Sequence, residues 1–208
     1  MFEFIESNES TLRLGFFLGI LVLMALWETL SPRRPVTVSR ARHWLNNLSL
    51  VVLNTLILRL VFPAAAVGVA VVSQANGWGL LNLLDWPLVY KVIFSVVLLD
   101  FIIWLQHVMV HAIPVLWRLH RVHHADPDYD TTTGLRFHPL EILFSMLIKF
   151  SAIVLMGPPV VAVILFEVIL NGMAMFNHGN VSLPARLDRW LRFLLVTPDM
   201  HRVHHSVE

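Results

Sequence analysis

The sequence predicts an all-α integral membrane protein with about four transmembrane segments, the last pair a Gly-Pro-Pro helical hairpin, and a cytoplasmic histidine-rich helical cap. Three observations predict it. Hydrophobic residues make up 57% of the chain, charged residues only 14%, and mean hydropathy is +0.70, values foreign to a soluble globule. Apolar runs of spanning length alternate with short arginine-bearing loops. Histidine is confined, with ten of the eleven falling between positions 107 and 205.

Residues 1–11 are polar and acidic (Glu3, Glu6, Glu9). From Leu14 to Leu30 the chain is almost continuously apolar. Its acidic leading end, with no small-residue cleavage site after it, marks a retained helix rather than a signal peptide. Ser31-Pro32 ends it. Arg33, Arg34, Arg40 and Arg42 follow, and positive loops stay cytoplasmic, so the N-terminus is expected outside and this loop inside. A second apolar segment covers about Leu45 to Val72, and Gly77, Gly79 and Asn82 form an outer turn. A third helix, Pro87 to His111, returns to the inner face. The stretch His120–Asp130 is too polar for the bilayer.

Residues 139–177 are apolar but interrupted by Gly157-Pro158-Pro159, which breaks a helix and makes a hairpin. Folding that hairpin about residue 158 sets Lys149 against Glu167 in mid-membrane and His138 opposite His178 at the mouth. The same exercise on helices two and three sets Arg59 beside Asp100. Unpaired charges at that depth cost about 2.5–3.5 kcal/mol each, which favours both pairs. From Pro184 to Leu195, Arg186, Arg189 and Arg192 alternate with an apolar face, the pattern of a helix lying on the membrane surface. The chain thus divides into N-terminal transmembrane helices, 1–94, and a histidine region, 95–208. Every histidine cluster is expected at one inner surface.

The clusters have helical spacing. His107 and His111 lie four apart, on one face, roughly 6 Å between Cβ atoms. His120, His123 and His124 share a face in the same way. The pentapeptide His120-Arg121-Val122-His123-His124 recurs unchanged as His201-Arg202-Val203-His204-His205. Neutral imidazole is a common ligand for zinc, copper, iron and nickel. Two copies of a three-histidine face, with a further pair beside them, exceed what one ion needs and point to a multi-metal site. Ligand type alone does not choose the metal. His43, among the arginines, reads as a surface residue outside that site.

The ordered set Asp100…His107-x3-His111, Leu116 to His124, Phe137-His138-Pro139-Leu140-Glu141, Asn177-His178-Gly179-Asn180 and Thr197-Pro198…His201 to His205 resembles the fatty acid hydroxylase/sterol desaturase superfamily over residues 95–206. The resemblance implies a membrane-bound non-haem di-iron oxygenase that hydroxylates a lipid C–H bond with O2. As metal ligands it implies His107, His111, His120, His123, His124, His178, His201, His204 and His205. His138 belongs to the set as a ligand or, preceding Pro139, as a helix-start partner. Asp100, Glu141 and Asn177 are candidates to orient ligands from behind, Asp100 alternatively to neutralise Arg59. Chains of this kind continue past the last motif with an Asn-Tyr-Gly-like segment and a Trp-Asp…Phe-Gly-Thr-like ending. This one stops at Glu208, which is expected of a fragment or of a chain lacking that closing part.

The remaining chemistry is bounded by what is absent. Zero cysteines exclude thiolate zinc sites and cysteine-ligated iron–sulfur clusters. A net charge of +1 gives no reason to expect nucleic acid. No His-Glu-x-x-His occurs, against a zincin protease. A lipid C–H bond offers no acidic proton, so redox-active metal suits it and hydrolytic zinc does not, although zinc is able to occupy such ligands on purification. With no glycine-rich dinucleotide fingerprint, electrons are expected from a separate ferredoxin, cytochrome or reductase. Lipid desaturation on the same centre is the alternative reaction. A non-enzymatic metal- or haem-binding membrane protein is the alternative class.

Overall fold

The computed structural model describes residues 2–62 and 64–206, and among them every regular element is helical. In chain order these are α1 (Phe2–Ser7), α2 (Glu9–Leu30), α3 (Arg40–Val61), α4 (Ala66–Ala75), α5 (Leu80–Leu83) and α6 (Leu88–Ala112). Then come α7 (Pro114–His124), a 3-10 turn (Thr133–Leu135), α8 (Pro139–Met156), α9 (Val160–Asn177), α10 (Ala185–Leu191) and α11 (Pro198–His204).

Proline sets most boundaries. α2 stops at Ser31, whose N–H still reaches the Trp27 carbonyl, because Pro32 has no N–H to continue the ladder. The segment expected as one helix from Leu45 to Val72 is two, α3 and α4. Phe62 is extended because it precedes a proline, which disfavours the helical region for the residue before it. Ile113 is extended for the same reason, and Pro114, Pro139 and Pro198 each occupy the first turn of a helix.

Gly157 ends α8 in the left-handed region (φ 65°). A Cβ there would lie 2.4 Å from the Trp78 carbonyl oxygen, so conformation and close approach both demand glycine.

Five stretches are long and apolar enough to cross a membrane: Glu9–Leu30, Arg40–Leu83, Leu88–Ala112, Pro139–Met156 and Val160–Asn177. The count exceeds the expected four because each hairpin arm has 18 residues, about 27 Å of helix. α9 is the central element. It packs against α2, α4 and α6, while α8 packs against α3, α4 and α6. The core gathers Leu99, Ile153, Val163, Ile164 and Phe166. Leu30, Leu60 and Val97 face outward, as lipid-facing apolar residues do.

The expected pair between the hairpin arms is present. Lys149 Nζ donates to Glu167 Oε1 at 3.0 Å, both side chains buried, and Arg13 from α2 adds a second cation 2.8 Å from Glu167 Oε2. The other expected pair is absent: Arg59 and Asp100 are exposed and form no ion pair among the described residues. α3 lies along α8, whereas α6 packs on α7, α8 and α9, and the two side chains face outward.

Glu167 therefore answers two cations. Glu167→Gln should cost about 3 kcal/mol or more of stability and exceed the cost of Lys149→Gln, since it strands two charges rather than one. Unfolding midpoints of the variants in detergent check this order.

Candidate metal centre

Nine histidines meet where α6 and α9 end. α6 carries His107 and His111, α7 carries His120, His123 and His124, His178 caps α9, and His201 and His204 lie on α11 with His205 at its C-cap. His107, His111 and His204 are mutually 4.5–4.9 Å apart between ring centroids. The two pentapeptide copies face one another: His124 stacks on His205 at 4.0 Å, and His123 meets His205 at 4.6 Å. The first half of the sequence pattern and the last fold into one volume.

The orientation of these rings is imposed from outside. His178 Nδ1 lies 2.7 Å from the Ala174 carbonyl, His123 Nδ1 3.1 Å from the Arg136 carbonyl, and His120 Nδ1 2.6 Å from the Glu141 carboxylate. A carbonyl only accepts, so each Nδ1 donates and the opposite Nε2 presents a bare lone pair to the interior. His178 Nε2 then stands 3.0 Å from His123 Nε2, 3.2 Å from His205 Nε2 and 2.9 Å from His201 Nε2. The Nε2 atoms of His111, His120 and His124 are buried with no hydrogen-bond partner. Facing lone pairs repel, and orphaned nitrogens at this depth are costly. A cation among them removes both penalties. Nitrogens 2.9–3.2 Å apart match neighbouring ligands on one ion with bonds of about 2.1 Å.

The nitrogen atoms sort into groups within 4.8 Å of one another: His123, His178, His201 and His205; His107, His111 and His204; His111, His120 and His124; and His124, His204 and His205. His111, His124, His204 and His205 each belong to two of these groups. Burial, reinforced by neighbouring imidazoles, holds His123, His178 and His205 well below the usual histidine range and His124 and His201 near 3. They are neutral near pH 7, the form that binds metal.

His138, expected as a ligand or as a helix-start partner, takes the second role. Its Nδ1 accepts the Leu140 N–H at 3.1 Å, capping α8, and it joins none of the nitrogen groups. Among the described residues Asp100 is exposed and bonds no histidine, Asn177 contributes its carbonyl to the Tyr129 hydroxyl at 2.7 Å, and Glu141 is an acid that meets a ligand candidate.

His43 is the clearest departure from the sequence reading. It is buried, not on the surface. Its Nε2 lies 2.6 Å from Asp126 and its Nδ1 3.2 Å from Asp130. Asn47 bridges Asp126 and Thr132, and Arg136 Nη1 donates to Asn47 Oδ1 at 3.1 Å. Arg136 Nε bonds the Val122 carbonyl, and its own carbonyl holds His123. A continuous polar chain thus runs from α3 to a ring at the centre. On the other side, Glu28 Oε1 accepts the backbone N–H of both Thr131 and Asn180 at 2.8 Å. Gly134 lets this loop press on α9, since a Cβ would fall 2.4 Å from the Ala174 carbonyl and 2.9 Å from His178 Nδ1. The signal available beforehand was the run Asp126 to Thr133, three acids and three threonines with little apolar content.

Residues 92–208 match the family model described as fatty acid hydroxylase. The chain belongs to this family. Fatty acid hydroxylase relatives include the ornithine lipid hydroxylase OlsE of Rhizobium tropici, 26% identical over 203 residues, covering 91% of this chain and 58% of that protein. Alkylglycerol monooxygenase of Xenopus tropicalis is 28% identical over 146 residues, 67% of this chain and 30% of that one. The human alkylglycerol monooxygenase is 31% identical over 113 residues, 51% of this chain and 23% of that one. The chain spans at most 58% of the length of these relatives. No solved structure matches this chain.

Two outcomes follow from the geometry. His43→Ala leaves two buried carboxylates without their partner, so it should cost about 2 kcal/mol or more and lower bound metal, read by thermal midpoint and elemental analysis. The sequence reading, with His43 at the surface, expects neither. Second, an unfolded histidine takes its proton near 6.5 while His124 and His201 resist it down to about 3. The unfolded state binds more protons over that window, so the metal-free protein should lose stability progressively as pH falls from about 6.5 towards 3. A midpoint independent of pH there would contradict it.

Proposed function

We propose that this chain is a membrane-bound, O2-dependent lipid hydroxylase with two iron ions at the histidine centre. The observation that carries it is the set of clustered imidazole Nε2 atoms, seven of them either orphaned (His111, His120, His124) or opposed to another nitrogen at 2.9–3.2 Å (His123, His178, His201, His205). His123, His178, His201 and His205 would hold one ion. His107, His111, His120, His124 and His204 would hold the second. Such a pair supplies, when bound, the reductive activation of O2 towards an unactivated C–H bond.

The protein's own groups do the rest. Glu141, the Arg136 carbonyl and the Ala174 carbonyl fix three rings in the Nδ1–H form and keep their lone pairs inward. The stacked rings and Phe137, 4.6 Å from His123, exclude bulk water from the buried side. A lipid chain would enter from the bilayer between helices whose outer faces are apolar. Five crossings would place the N-terminus outside and the centre beneath the inner leaflet, following the arginines at 33, 34, 40 and 42. Gly157-Pro158-Pro159 would turn the hairpin at the outer side. The lack of cysteine and of a dinucleotide fingerprint supports a separate electron donor. Hydroxylation is favoured over desaturation because the relatives above carry hydroxylase and monooxygenase names.

Protein purified without added metal should contain about two irons per chain. His123→Ala and His204→Ala should each lower the metal content and reduce lipid turnover to background. Full turnover in both variants would overturn the proposal.

A further inference from the structure

Beside the histidines lies an open cavity of about 620 Å³ with an unusual wall. Arg33, Arg34, Arg192 and Arg202 line it, against a single acid among the described residues, Asp199. The acid is already engaged, by Arg202 and, at 3.4 Å, by Arg33 Nε. Arg192 pairs with Asp188 outside the lining. The Arg34 side chain makes no hydrogen bond or ion pair among the described residues, while its backbone is pinned by Asn180 through both its N–H and its carbonyl. Four guanidiniums thus face two carboxylates among the described residues, and Arg34 is held in place by backbone bonds that leave its guanidinium unengaged.

Arg202 in the cavity wall adjoins the centre. Arg202 stands between His201 and His204, bonds the Gly179 carbonyl and lies over the Tyr129 ring, which itself sits 5.0 Å from His205. Next to Arg192 in the chain, Trp190, Phe193 and Leu194 are apolar and 65–85% exposed. Aromatic and leucine side chains beside arginine are the makeup of a segment seated at the headgroup level. An anion reaching this cavity thus approaches with a hydrocarbon tail more naturally than from free solution. Guanidinium forks suit phosphate and carboxylate oxygens.

We infer that this arginine-lined cavity binds the anionic headgroup, phosphate or carboxylate, of the lipid whose chain is presented to the histidine centre. This rests on the lipid-oxygenase reading above and narrows it to lipids with an acidic headgroup. Arg33 and Arg34 grip the anion from the α2–α3 loop, and Arg192 and Arg202 from α10 and α11.

The test compares the full chain with the double variant Arg33→Gln/Arg34→Gln, using Arg42→Gln as a control for surface charge. In neutral detergent, thermal midpoints are titrated with short-chain phosphatidic acid, with inorganic phosphate and with short-chain diacylglycerol. The expected result is stabilisation by phosphatidic acid alone, with apparent affinity about tenfold or more weaker in the double variant and unchanged in the control. Equal response of double variant and parent would overturn the site. Inorganic phosphate acting as well as phosphatidic acid would overturn the headgroup assignment in favour of a free anion.

Turnover is then read on an acidic and a neutral lipid. A KM raised about tenfold for the acidic lipid alone, with kcat and metal content kept, supports the inference. Unchanged KM despite lost binding would mark a bystander membrane lipid and overturn the substrate role. No turnover of any lipid by the parent would sink the hydroxylase reading, while the binding titration would still decide the cavity.

Discussion

The constraint on which the structure depends is electrostatic. Imidazole nitrogens with no proton face one another at 3 Å in a buried volume, and nothing in the described chain relieves them. The fold holds lone pair against lone pair there, and carbonyls and a carboxylate outside the ring shell fix the tautomers of His120, His123 and His178. Two five-residue motifs separated by some eighty residues converge because α9 returns the chain to the end of the bundle where α6 and α7 already present theirs.

Around that constraint the molecule is layered by polarity. The membrane-length helices carry few internal charges, and the group at Arg13, Lys149 and Glu167 is satisfied within itself. Above them, the loop from Asp126 to Arg136 is saturated with hydrogen bonds, so that a segment without long helices is nonetheless fixed. Rigidity there has a use: ring positions set by a loop are as accurate as the loop itself, and here the loop is braced by α3, by α2 and by α9.

Much of this was legible in the sequence. Apolar runs, prolines and the Gly-Pro-Pro break gave helix positions within a few residues, since those signals are local. Histidine spacing gave the clusters, because a helix turns i, i+3 and i+4 to one face regardless of context. The Lys149–Glu167 pair was legible from hairpin symmetry. What escaped was non-local. His43 sits among arginines in sequence, and only the loop from Asp126, some eighty residues on, makes it a buried partner. Arg59 and Asp100 lie at matching depth in a simple hairpin of helices two and three. The break at Phe62 and the packing of α3 along α8 undo that symmetry. For His138 the sequence left ligand and helix-start roles open, and it caps α8, as the proline after it favours.

Glu28 has a consequence of its own. A single carboxylate oxygen on α2 takes the amides of Thr131 and Asn180, one from each of the two loops that deliver histidines. That oxygen lies outside residues 92–208, the stretch by which the family is recognised. The boundary drawn by kinship and the boundary drawn by mechanics do not coincide. A graft or an evolutionary shuffle that moved only the recognisable portion would carry the imidazoles and leave behind the clasp that keeps their two halves in register.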